Sequence, residues 1–73
     1  MDYIIDDYGD GKCIINNFSS DEIIVEIPEV LDGNKVVNID AFALDCPNAT
    51  KIMLPKTLES ISYNNFYNSK ELD

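Results

Sequence analysis

The 73-residue chain contains no histidine, no arginine and no tryptophan, and its five basic residues are all lysine. Without imidazole, Ser-His and Cys-His catalysis have no base, and the usual histidine-containing zinc sites have no ligand. Cysteine is nearly as scarce: Cys13 and Cys46 stand alone, with no CxxC pair. A bond between them requires α-carbons within about 7 Å, and two buried free thiols packing as small apolar side chains are the expected state. No apolar run approaches the roughly 20 residues of a membrane helix. The opening MDYIIDDYG lacks the basic and apolar regions of a signal peptide. No membrane insertion is expected. The chain is cytoplasmic if complete, and secreted or at the cell surface if it is part of a longer exported protein.

Positive charge is the other scarcity. Fourteen acidic residues against five basic ones give a formal charge of -9, and such a chain is repelled by phosphate backbones and anionic membranes. Direct nucleic-acid binding is not expected. The acids come in ones and twos, as in Asp6-Asp7 and Asp21-Glu22, which reads as a solvated surface rather than an acidic tail. With 45% hydrophobic residues the chain has enough apolar material to fold. At this size it buries only about 60% of the surface its unfolded form exposes, so its core is small.

What the chain does have is an internal rhythm. Setting Pro28 over Pro55, an offset of 55 - 28 = 27, brings Val25 and Ile27 onto Ile52 and Leu54. Beyond the prolines, Ile39 and Leu44 fall on Ile61 and Phe66 at an offset of 22, and Cys46 and Ala49 fall on Ser69 and Leu72 at 23. The first copy carries extra residues around LDGNK, where Asp32-Gly33 marks a turn. A unit of this length, with short aliphatic strand ends and small polar turns, lies in the range of leucine-rich solenoid repeats.

These residues resemble the BspA-like leucine-rich repeat family, whose unit reads roughly I-G-x-x-A-F-x-x-C-x-x-L-x-x-I-x-I-P followed by a turn and V-x-x-I. The resemblance covers residues 22 to 72 and is carried by CPNATKIMLPKTLESI and ISYNNFYNSKEL. The chain departs from that pattern at the glycine after isoleucine, which is Asp40 in one copy and Ser62 in the other, and at Ala49, where leucine is usual. The resemblance implies a mainly β fold: a short leucine-rich-repeat-type solenoid with an N-terminal β-hairpin cap and at most one short helical turn. The cap spans residues 1–21, a first repeat with an extended turn spans 22–50, and a second, partial repeat spans 51–73.

Local signals agree with that outline. YII and CIINNF flank the turn DDYGDGK, which reads as a hairpin. EIIVEIP reads as a strand with Ile23, Val25 and Ile27 on one side and Ile24 and Glu26 on the other, ended by Pro28. AFALDC carries enough alanine and leucine for one helical turn before Pro47. Solenoids normally need about three repeats to bury their faces. The row Ile52, Leu54, Leu58, Ile61 and Phe66 is therefore expected either to dimerise through the C-terminal repeat edge or to fray there.

Sites are few. Asp6, Asp10 and Gly11 match positions of a calcium loop, but Tyr8 and Asn17 stand where oxygen ligands are wanted, so a plain Asp/Gly turn is the better reading. Asn17-Phe18-Ser19 and Asn48-Ala49-Thr50 fit the glycosylation pattern, which has meaning only in a eukaryotic secretory setting. No serine has a basic neighbour that sequence can justify, so the chain is read as no enzyme, with no cofactor and no metal. The candidate binding residues are Tyr63, Tyr67, Glu26, Glu29 and Glu59, tyrosine being favoured on contact faces. The function expected is a non-catalytic protein-binding module, a segment of a BspA-like surface or adhesion protein. The alternative is a free-standing acidic inhibitor whose carboxylates imitate nucleic-acid phosphates in the basic groove of an enzyme.

Overall fold

The computed structural model describes residues 1–61 and is mainly β, with no helix among them. The first two strands, β1 (Asp2–Asp7) and β2 (Lys12–Ser19), form an antiparallel hairpin. Its tip depends on glycine: Gly9 and Gly11 have φ of 87° and 77°, a region costly for residues with a Cβ. The Gly9 N–H donates to the Asp7 carboxylate at 2.6 Å and the Tyr8 N–H to the Lys12 carbonyl at 2.9 Å. The stretch considered as a calcium loop is thus the hairpin turn.

A bulge sets which side chains of β2 point inward. Ile4 faces Asn17 and Ile5 faces Ile15, leaving Asn16 unopposed. Cys13 and Ile15 are inward in one phase; the extra residue shifts the phase so that Phe18, not Asn17, is buried.

The next strands are short: β3 (Ile24–Glu26), β4 (Val30–Leu31), β5 (Asn34–Ile39), β6 (Leu44–Asp45), β7 (Lys51–Met53) and β8 (Ser60–Ile61). Strands β4 and β5 form a second hairpin around Asp32 and Gly33, both at positive φ (54° and 80°), the geometry an Asp-Gly pair favours between twisted strands. All other pairings are parallel. β2 pairs first with β5 and then with β6, β5 pairs with β8, and β3 pairs with β7 in a separate two-stranded sheet.

Like residues meet across these parallel pairs. Val25 lies opposite Ile52, an offset of 52 - 25 = 27. Ile39 lies opposite Ile61, an offset of 61 - 39 = 22, and on its other side opposite Ile15. The core runs between the two sheets. Its fully buried members include Ile15, Phe18, Ile27, Val36, Ile39 and both cysteines. Polar turns are tied down by small side chains: the Thr57 hydroxyl donates to the Val36 carbonyl at 2.6 Å, and the Ser60 hydroxyl to the Asn38 side-chain oxygen at 3.0 Å.

Two local expectations are corrected. Residues 41–46 form no helical turn: the Ala43 N–H closes a tight turn on the Asp40 carbonyl, Phe42 sits at a φ of 62°, and Leu44–Asp45 becomes β6 beside Phe18 and Ser19. Bonding to β2 satisfies backbone groups that an isolated helical turn would leave open, and that outweighs the modest helix preference of alanine and leucine. Ile23 is not on the buried face. It is 62% exposed, because β3 begins only at Ile24 and the alternation holds for Val25 and Ile27 alone.

Candidate functional site

Two equivalent quartets build a groove of about 360 Å³. Glu26, Ile27, Pro28 and Glu29 leave the end of β3, while Met53, Leu54, Pro55 and Lys56 leave the end of β7 at the same offset of 53 - 26 = 27. Both prolines stop their strands by withholding an N–H from the ladder. The last bond before the stop is from the Ile27 N–H to the Met53 carbonyl, at 3.0 Å. The chains then turn away together and leave a hollow between like residues.

Its floor is apolar and unequally covered. Ile27 is 2% exposed, whereas its counterpart Leu54 is 42% exposed and Met53 37%. Ile27 belongs to the buried core, whereas Leu54 is not among the described residues that pack on it. Glu26, Glu29 and Lys56 are exposed along the rim. An apolar floor with a small number of charges around it can take a side chain from another protein and orient it by charge.

The sequence candidates divide. Glu26 and Glu29 share this groove. Glu59 is elsewhere: its N–H donates to the Val37 carbonyl at 2.8 Å, and its carboxylate lies 3.7 Å from the Lys12 ammonium in an exposed pair of the kind that adds little stability. Tyr63 and Tyr67 lie outside the described residues, as does Phe66. Met53 and Lys56 were not singled out from sequence and Leu54 only in the apolar row expected to dimerise or fray, although the offset of 27 that aligns Pro28 with Pro55 places all three opposite Glu26, Ile27 and Glu29.

Other reactive groups are sheltered. Cys13 and Cys46 are free and buried, at 0% and 1% exposure. Burial, reinforced by the Asp7 and Asp32 charges, pushes the Cys13 thiol up; burial and the Asp45 charge do the same for Cys46. Both are held as thiols, the unreactive form. Tyr3 donates to the Asp32 carboxylate at 2.7 Å, and that bond raises its pKa. This contact joins the first hairpin to the second. Among the described residues no group of acids and thiols is placed to hold a metal ion.

No protein-family model, curated protein or solved structure matches the chain.

Proposed function

We propose that the chain is a non-catalytic protein-binding module: a short solenoid of leucine-rich-repeat type, similar to the BspA-like family, capped by the β1–β2 hairpin. In this reading residues 1–21 are the cap, 22–50 the first repeat and 51–73 the second, partial one. The observation that carries it is the facing of like residues in successive parallel strands, Val25 with Ile52 and Ile39 with Ile61. Units stacked in register present the same surface again and again, and repeat proteins bind through such surfaces. Here that surface is the groove between Glu26–Glu29 and the equivalent residues 53–56. Leu54 and Met53 supply the apolar contact, and Glu26, Glu29 and Lys56 orient the partner.

The test is to pan a displayed random-peptide library against the full chain and titrate the enriched peptides into Leu54→Glu and Glu29→Lys variants. A shared motif is expected, with affinity at least about tenfold weaker for the variants and an unchanged circular dichroism spectrum. Absence of enrichment, or equal affinity for wild type and both variants, overturns the reading. Tight binding to a nucleic-acid-binding enzyme that collapses as salt rises would point instead to the acidic-inhibitor alternative.

A further inference from the structure

The two sides of the core are closed differently at the N-terminal end. β5 and β6 are covered by β2, which itself carries β1. Among the described residues β3 pairs with β7 alone, on one side, which makes it an edge there. The Ile23 carbonyl accepts from the Lys51 N–H, and the Ile27 N–H donates to the Met53 carbonyl. A parallel strand bonds its neighbour through alternate residues. The N–H and C=O groups of Ile24 and Glu26 therefore point away from β7, along an edge that no strand among the described residues covers.

The surroundings of that edge are apolar and acidic together. Met1, Ile23 and Ile24 are 69%, 62% and 57% exposed. A hollow of about 200 Å³ beside the strand is lined by Met1, Phe18, Glu22, Val25 and Glu26, among others. The adjoining hollows bring in Asp2, Asp21 and Asp45. No lysine lines any of the three.

We propose that the free edge of β3 is a strand-addition site for an extended peptide of alternating apolar and basic residues. The peptide backbone bonds to Ile24 and Glu26. Its apolar side chains turn inward beside Val25 over the hollow under Met1, and its lysines or arginines turn outward to Glu22 and Glu26. A second copy of β3 is a poor occupant, because pairing would set the carboxylates of both copies against one another. The site is distinct from the groove: Glu22 lines only the hollows at β3, Glu29 lines only the groove, and Glu26 is shared.

The probe is a capped seven-residue peptide alternating lysine and valine, with a glutamate-valine peptide as its counterpart. Both are added to the full chain while amide exchange is followed by NMR. The basic peptide slows exchange at Ile24 and Glu26; Glu22→Lys weakens its binding by about tenfold or more, as expected for a charge-assisted contact, and Glu29→Lys leaves it unchanged. Unaltered exchange at Ile24 and Glu26, or equal binding of the acidic peptide, overturns the proposal. So does protection of β3 that grows with protein concentration alone, which would make a second copy the occupant. Weakening by Glu29→Lys but not by Glu22→Lys moves the peptide to the groove, leaving the function proposed above intact and removing the strand-addition site.

Discussion

Replacing Ile39 by alanine tests the stacking at its centre. Ile39 is 1% exposed and lies in β5 between Ile15 of β2 and Ile61 of β8. Three carbons are removed, and at about 0.8 kcal/mol for each buried methylene the transfer term alone is roughly 2.4 kcal/mol. A cavity between strands fixed by ladder bonds relaxes little, so the total is expected near 3–4 kcal/mol, within the range of about 2–5 for such truncations. A domain of this size has roughly 4–11 kcal/mol in all at about 0.05–0.15 kcal/mol per residue. The variant therefore loses roughly a quarter or more of its stability. In urea melts followed by far-ultraviolet circular dichroism, a slope near 1 kcal/mol/M puts the midpoint about 3–4 M lower. Ile23→Ala is the control: the side chain is 62% exposed, and a change within about 0.5 kcal/mol is expected. The reasoning fails if Ile39→Ala costs less than about 1 kcal/mol, or if Ile23→Ala costs as much as Ile39→Ala.

Two further predictions concern backbone and titration. Gly33 has a φ of 80° and open space where a Cβ would sit, so Gly33→Ala should cost only the left-handed penalty, about 1–2 kcal/mol in the same melts; a neutral effect would contradict the turn geometry. Cys13 and Cys46 have thiols raised from 9.0, and Tyr3 a hydroxyl raised from 10.0. A raised pKa means that the folded state favours the protonated form. Its stabilisation is complete below the unfolded value and is lost as pH rises through the folded one. Stability should therefore fall as pH climbs above about 9, less so in a Cys13→Ala/Cys46→Ala variant, and a thiol reagent at neutral pH should label both cysteines only after unfolding. Rapid labelling of the native protein, or an equal alkaline loss in the double variant, would refute this.

Some of the architecture was written in local chemistry. Gly9, Gly11 and the Asp32-Gly33 pair announce turns because few other residues accept positive φ, and the two hairpins lie where they indicate. The offsets of 27 and 22 found by aligning Pro28 with Pro55 and Ile39 with Ile61 reappear as the strand pairings of Val25 with Ile52 and Ile39 with Ile61. That information is carried by side chains that must match their neighbours, and it survives in the order of the residues. The tertiary structure alone decided the rest. Leu44–Asp45 is a strand because β2 lies beside it, and Asn16 is a bulge because β1 imposes its register. Ile27 and Leu54 occupy equivalent positions yet differ in exposure from 2% to 42%. Glu26 and Glu29 share a groove while Glu59 turns to Lys12. Each of these outcomes depends on which strand comes to rest against which, a property of residues far apart in the chain that no local pattern of charge or hydrophobicity encodes.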